Sequence, residues 1–477
     1  MQSQQLSKTD FANFLVCPEA FWLSKHKPAA YPQPSPNAHS QLLAQQGYEF
    51  EAIAQRLLQE RLGQGYTPQE TLKAPGGLLS RPDGLFRHDN GAIDLYEIKS
   101  GSNPNEYKDD LAFQLIVARR SGLEVRSAFL VHTNKAYVLG ETVDPEGLVK
   151  ITDLTVEAKA RALELEPEVD AALTLLKIEQ IDESQCSCLR KTRSKRCTAF
   201  EYFNPDVPSP SIHHLPRIWG KRIKAFVDAG IIGLDDLELS DLDTSSHIKM
   251  LTSYKLQKPT IDRGGIAKWL GGLTYPLSFF DYESFASPVP VVKGSKPWQH
   301  VVTQYSLHVL HKDGELDHVE YLSHDTDPPD QLAHQLRADL PPSGNVISWN
   351  KSFENSRNKE MGQWLPKHAD FFRNMEERTR DLMLIFDGAK GYPEGTYIDW
   401  RFMGSASIKI VLPVLIPDLS YDDLDVSNGT EVMVAWRELV AMPMNDERAK
   451  LRKAMLDYCR LDTLAMVRIF QKLESLC

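Results

Sequence analysis

The sequence predicts a multidomain α/β protein, and three observations carry that expectation. Residues 78–100, LLSRPDGLFRHDNGAIDLYEIKS, read as two short strands folded back at Asn90-Gly91. That pair is a strong hairpin signal, because both central positions of a type I′ turn need positive φ. A second strand-forming run, LSFFDYESF, spans 277–285, and VISWNKSFENS (346–356) reads as a buried strand running into a helix start. Between and beyond them lie helix-periodic stretches such as LLAQQGYEFEAIAQRLL (42–58) and MLDYCRLDTLAM (455–466). A chain of 477 residues exceeds one core and suggests about three domains.

Hydrophobic residues make up 42% and charged residues 25% of the chain, an ordinary globular balance. No apolar run approaches the ~18 residues that cross a bilayer. MQSQQLSKTDFANF also lacks the basic-then-apolar layout of a secretory signal, so a cytoplasmic protein is expected. The net charge of −11 speaks against a protein that coats nucleic acid, yet suits an enzyme whose metal-binding acids act on it. Nine cations stand between Cys186 and Lys224 (Arg190, Lys191, Arg193, Lys195, Arg196, Arg217, Lys221, Arg222, Lys224) against two acids, Glu201 and Asp206. The stretch is either a phosphate-contacting surface or a solvated basic face.

Three regions are expected. The first spans 1–205, and the Pro- and Ser-rich NPDVPSPSIHHLP (204–216) marks its end. Residues 206–272 read as a helical linker, with IWGKRIKAFVDAGI and DDLELSDLD as helical segments broken by Gly230 and Gly233. The third region spans 273–477. No internal repeat or low-complexity tract is evident.

Within the first region Ile93, Leu95 and Ile98 read as packing positions of a half-buried strand, while Glu97 and Lys99 share a strand face. Folding back at Asn90-Gly91 sets Asp83 opposite them, so three charged residues converge. Such a set can hold a divalent cation between its carboxylates while the ammonium polarises a water, which is what phosphodiester hydrolysis needs. The plainer alternative is an ion pair on an edge strand, worth little.

RPDG and EIKSG resemble the core of the PD-(D/E)XK nucleases, more narrowly the RecB-like exonucleases that include CRISPR-associated members. The resemblance implies a restriction-endonuclease-like fold, with Asp83 and Glu97 as metal ligands and Lys99 as a catalytic lysine. LLAQQGYEFEAIAQRLL resembles the family's first helical motif and implies Glu51 as its acid, where CRISPR-associated relatives tend to carry His. DDLAFQLIVA (109–118) resembles the later motif and implies Gln114. Ala118 stands where the family often has Tyr, which puts that ring's role in holding DNA in doubt. For Glu51 and Gln114, a solvated helix face is the alternative.

SKTDFANFLVCPEAFWL places Cys17 before a proline and among Phe11, Phe14, Phe21 and Trp22, which read as core. CSCLRKTRSKRC supplies Cys186, Cys188 and Cys197. In a cytosolic chain, six cysteines do not suggest a disulfide framework. One early cysteine plus three clustered ones resembles the iron–sulfur staple of the same RecB-like subset. The resemblance implies that Cys17, Cys186, Cys188 and Cys197 hold a [4Fe–4S] cluster closing a very long loop. The spacing here is C-x-C-x8-C, against a first gap of two in many relatives. Zinc is the alternative metal, and unligated thiols the plainer reading. Cys459 and Cys477 read as free.

In the third region Asp281 and Glu283 on one strand resemble the first motif of DnaQ-like 3′–5′ exonucleases, whose fold is that of ribonuclease H. Asn350, Phe353 and Glu354 resemble the second motif, with Glu354 in place of the usual Asp. Tyr458 and Asp462, four residues apart on one helix face, match the Y-x3-D third motif. The resemblance implies that Asp281, Glu283, Glu354 and Asp462 bind two divalent ions, Mg²⁺ or Mn²⁺, about 4 Å apart, and that Tyr458 orients the attacking water. Asp381, in RTRDLMLIF at a strand start, reads as a cap or a supporting acid. Acids used only structurally are the alternative.

With LSKTDF and CP at its start and GSASIKIVLPVLIPDLSYDDL at 404–424, the chain resembles a bacterial family of uncharacterised function joining these two halves. The resemblance implies a metal-dependent nuclease with two active centres, exonucleolytic and acting on DNA, with RNA open for the second half. Defence against foreign DNA or processing of DNA ends is the role such domains keep company with. The alternative is a nucleic-acid-binding module with one or both centres silent.

Overall fold

The computed structural model describes residues 5–33, 37–387, 396–421 and 424–477. The chain is mixed α/β and divides into two compact units. The first comprises Met1–Asp206 with Ser287–Gln299, and the second Val207–Ala286 with His300–Cys477. Residues 207–272, read as a separate linker, group with the second unit. Among the described residues no helix is long and apolar enough to cross a membrane.

In the first unit β1 (Tyr66–Pro68), β2 (Gly84–Arg87), β3 (Ile93–Lys99), β4 (Val125–Thr133) and β5 (Val149–Asp153) form one sheet in that spatial order. β3 and β4 are parallel, and the other neighbours are antiparallel. The parallel step requires a crossover, supplied by α4 (Lys108–Arg120). α1 (Lys8–Val16) starts at a capping box, where Ser7 and Asp10 bond each other's backbone N–H. α2 (Pro18–His26), α3 (Ala38–Leu62) and α5 (Thr155–Leu175) complete the helices that matter here.

Two expectations are corrected. β3 is not half-buried: every residue from Ile93 to Ile98 is buried, because it is the central strand and is covered on both faces. Ile93 and Leu95 enter one core with Phe113 and Ile116 of α4, while Tyr96 and Ile98 enter another with Phe50 and Leu57 of α3. The β2–β3 connection is also not a two-residue type I′ turn. His88 N donates to Ala92 O and Gly91 N to His88 O, both at 2.9 Å, and within this loop positive φ falls on Gly91 alone (+86°). This is a three-residue hairpin loop with its glycine in the left-handed position.

In the second unit β6 (Leu277–Phe285), β7 (Val301–Leu310), β8 (Leu316–Leu322), β9 (Asn345–Ser348) and β10 (Thr379–Asp381) form a sheet ordered β8-β7-β6-β9-β10. β6, β9 and β10 run parallel, and β7 and β8 extend the sheet antiparallel. Gly344 lets β9 enter beside β6: its φ is +86°, and a Cβ there would lie 2.1 Å from Pro276 O. The helices that matter here are α6 (Gly220–Asp228), α7 (Ser245–Leu256), α8 (Arg263–Gly271), α9 (Lys351–Trp364), α10 (Ile408–Leu415), α11 (Gly429–Ala441) and α12 (Asp446–Glu474). DDLELSDLD, read as helical, makes only the short 3₁₀ turn Leu239–Asp241. Asp236 accepts from Gly233 N and Asp241 from Glu238 N, both at 2.8 Å, and such local bonds compete with helical ones. Asp381 ends β10 rather than starting it.

Candidate active and metal sites

The first centre forms where the β2–β3 hairpin meets α1 and α4. Asp83 precedes β2, and Gly84 behind it must be glycine because a Cβ would fall 2.3 Å from the Tyr66 ring. The Asp83 carboxylate accepts from Ile98 N at 2.6 Å, which fixes it at the end of β3. Glu97, 0% exposed, accepts from Lys99 Nζ at 2.9 Å and also from Lys8 and from the Gln114 side chain. Lys99 also pairs with Asp110 at 2.7 Å, and Lys8 lies 3.8 Å from the same carboxylate. The centre is therefore a network of two ammonium groups and three carboxylates, on a central strand and not an edge.

Electrostatics separates the two acids. Burial, then repulsion from Glu97, pushes Asp83 up to about 7. Burial also pushes Glu97 up, but the charges of Lys8 and Lys99 outweigh it and hold the group below the usual carboxylate range. Glu51, on α3, accepts from Gln69 Nε2 at 2.8 Å and acts on Asp83 only through its charge. It does not join Asp83 and Glu97 in a mutual 4.8 Å cluster. Ala118 is buried within the α4 core, so no side chain reaches the centre from there. Lys8 and Asp110 escape sequence reading: Lys8 lies 89 residues from Glu97.

The second centre is built on the middle strand β6. Asp281 and Glu283 project from one face, and Asp462 comes from α12. One oxygen of each lies within 4.8 Å of the others. Glu354 stands in the first turn of α9, where Asp281 repels its carboxylate, and its Oε2 is buried with no hydrogen-bond partner. Asp381 stands apart: it accepts from Asn350 N and Lys351 N at 3.1 Å, capping α9. Tyr421 donates to Asp462 at 2.5 Å, and Tyr458 stands one helical turn from Asp462 on α12. Lys409 Nζ sits 5.3 Å and 5.0 Å from the Tyr421 and Tyr458 ring centroids. Cys459 pairs with no cysteine, but its sulfur lies 4.0 Å from Asp281. Lys409 and Tyr421 belong to the GSASIKIVLPVLIPDLSYDDL run but carry no motif spacing; Asp422 and Asp423 of that run lie outside the described residues.

Here no cation outweighs burial. Burial first, then mutual repulsion, raises Asp281, Glu283 and Glu354 well above the usual range. Asp462 is pushed up only to about 6, because Tyr421, Lys409 and Tyr458 favour its charged form. Burial keeps both tyrosine hydroxyls protonated, so they act as donors. Largely desolvated carboxylates with oxygens within 4.8 Å of one another suit divalent cations, which take oxygen ligands.

The third cluster joins Cys17, between α1 and α2, to Cys186, Cys188 and Cys197, all four sulfurs within 4.8 Å of one another. The first three are buried, and none forms a disulfide. Glu19 ties the two chain segments by accepting from Ser187 N at 3.2 Å, and Asn204 Nδ2 donates to Cys186 Sγ at 3.2 Å. A buried set of four thiols could bind a metal, and the donor set suits zinc or an iron–sulfur cluster equally. The basic stretch is divided between the units: Arg190–Arg196 flank these cysteines in the first, and Arg217–Lys224 lie in the second.

Residues 278–407 match the family model of a domain of unknown function, DUF2779. A comparison with curated protein sequences returns no match. Among solved structures, an alkaline exonuclease from Laribacter hongkongensis is 17% identical, with 37% of this chain and 93% of that chain covered and a TM-score of 0.24. The same enzyme in complex with dAMP gives 17%, 37%, 92% and 0.24. A protein called SSO0001 is 13% identical, covering 35% and 78%, with a TM-score of 0.21. These likenesses are too slight to assign a fold.

Two expectations follow. Replacing Cys17 or Cys188 by Ser should remove bound iron or zinc, read by elemental analysis. Opening the loop should also lower stability by on the order of 4 kcal/mol, read by urea denaturation. Second, Asp83, at about 7, and Asp462, at about 6, take up protons on folding, because their folded values exceed the unfolded ones. Metal-free protein should therefore lose stability as pH rises from about 4 through those values. Mn²⁺ competes with these protons, so it should raise Tm more at pH 8 than at pH 6, and Glu283→Gln should shrink that difference.

Proposed function

We propose that the chain is a metal-dependent nuclease with two hydrolytic centres, acting on DNA. The observation that carries the reading is the set of Asp281 and Glu283 on the middle strand of a sheet with Asp462 on α12, one oxygen of each within 4.8 Å of the others. With Glu354 close enough to feel the Asp281 charge, these acids would hold divalent cations. Such ions supply charge neutralisation at a phosphate and a nucleophile at neutral pH.

The chain's own groups do the rest. Asp281 keeps partial solvent access, so the cluster opens to a substrate on that side, while Glu283 and Asp462 are buried. Tyr421 fixes Asp462, and the Tyr458 hydroxyl, kept neutral, can orient a water by hydrogen bond. Lys409 over both rings places a positive charge against the cluster without a salt bridge to it, suited to meeting phosphate oxygens. In the first unit Asp83 and Glu97 would hold a cation, and Lys99, braced between Glu97 and Asp110, would orient a water or a phosphate oxygen. The β8-β7-β6-β9-β10 order and the α4 crossover suit the ribonuclease H-like and restriction-endonuclease-like readings of the two units. The four cysteines suit a [4Fe–4S] cluster, with zinc as the alternative. Defence against foreign DNA, or end processing, is the role this activity would serve.

One observation favours a second reading for the first unit: Lys8 and Lys99 already neutralise Glu97. A cation there would have to displace Lys8, so this centre could bind nucleic acid without cutting it.

The test is degradation of end-labelled single-stranded DNA, duplex DNA and RNA in Mn²⁺. Lys99→Ala and the double variant Asp281→Ala with Glu283→Ala should each lower a different activity by at least about 100-fold. If Lys99→Ala matches wild type on every substrate, the first centre is silent. If wild type cuts nothing, the nuclease reading fails.

A further inference from the structure

Outside both centres, the second unit carries a pocket of about 610 Å³ whose lining includes Trp219, Arg217, Lys221 and Arg222. Trp219, immediately before α6, is 78% exposed. An indole this bare is costly to leave in water and is not needed for the core, whose α6 contributions are Ile223, Phe226 and Val227. Around it stand three cations against one acid of the lining, Asp243. Arg217 pairs with Asp387, and Arg222 donates to Asp241 O while its guanidinium lies over the Phe226 ring at 4.8 Å. These contacts hold the two guanidinium groups in place beside the indole. The floor is rigid: His247 Nε2 lies 2.8 Å from Pro216 O, and His247 is buried.

An exposed flat ring beside fixed cations in the lining of a pocket matches one ligand chemistry: a base to stack and flanking phosphates to neutralise. The volume falls within the range of small-ligand sites and suits a nucleotide. Duplex DNA presents no free base face and would leave Trp219 unused. We propose that this pocket binds an unpaired nucleotide of a single-stranded nucleic acid, with its base on Trp219 and its phosphates at Lys221, Arg217 and Arg222. The choice of nucleic acid over another planar anion rests on the nuclease reading.

The test is fluorescence anisotropy of labelled dT15 with the full chain in EDTA, beside an abasic oligomer of equal length. Trp219→Ala should weaken dT15 binding about tenfold and leave the abasic oligomer unchanged. Lys221→Glu should weaken both and flatten the salt dependence. Trp219 is exposed, so its truncation should leave the fold intact, and an unchanged Tm checks this. Equal dT15 affinity for wild type and Trp219→Ala overturns the proposal, as does a wild type that binds neither oligomer. If Trp219→Ala has no effect while wild type cleaves DNA, the pocket falls and the nuclease reading stands. If Trp219-dependent binding is present but nothing is cleaved, the nuclease reading falls and the pocket stands.

Discussion

Carboxylates withdrawn from water on the middle strand of a sheet are the constraint on which both units turn. Taking a charged carboxylate into a low-dielectric interior costs several kcal/mol unless a partner offsets it. The two units offset it differently. Glu97 is surrounded by Lys8, Lys99 and the Gln114 amide, so its charge is matched inside the protein. Among the described residues, Asp281, Glu283 and Glu354 are surrounded by one another, by Asp462 with the Tyr421 hydroxyl on it, by the Cys459 thiol and by the more distant Lys409. One centre is neutralised from within; the other holds mutual repulsion that a divalent cation would relieve.

Structure supports each arrangement from a distance. Lys8 reaches Glu97 because Ser7 and Asp10 cap α1 at that residue, and because Cys17 at the far end of α1 meets Cys186, Cys188 and Cys197. The cysteine cluster and the Glu97 network are thus two ends of one short helix. In the second unit the parallel entry of β9, permitted by Gly344, delivers α9 and its Glu354 to the Asp281 face. Asp381 serves that placement by capping α9, which explains its burial without giving it a place among the clustered acids.

What was legible in the sequence follows from spacing. Residues two apart on a strand or four apart on a helix must share a face, so Glu97 with Lys99, Asp281 with Glu283, and Tyr458 with Asp462 were visible as pairs. The turn at Gly91 brought Asp83 to Glu97 over a short loop, although its type was misread because Asn90 looked like a second positive-φ position. The partners that long-range folding supplies were invisible: Lys8, Asp110, Lys409 and Tyr421 sit in helices or loops where lysines, acids and tyrosines are common. The full burial of β3 also escaped, since its alternating polar residues are charged groups paired inside the core rather than solvated ones. Glu51, placed by its motif position on α3, acts on Asp83 through its charge from outside a mutual 4.8 Å cluster.

The central claim is that both carboxylate sets are cation sites. The most direct measurement is anomalous scattering from crystals of the protein grown or soaked in Mn²⁺, recorded at the manganese edge. The account predicts peaks enclosed by Asp281, Glu283 and Asp462, and a further peak beside Asp83 and Glu97 with the Lys8 ammonium moved away. A carboxylate set that bears no peak, with manganese found only at the other set or on exposed surface acids, would contradict it.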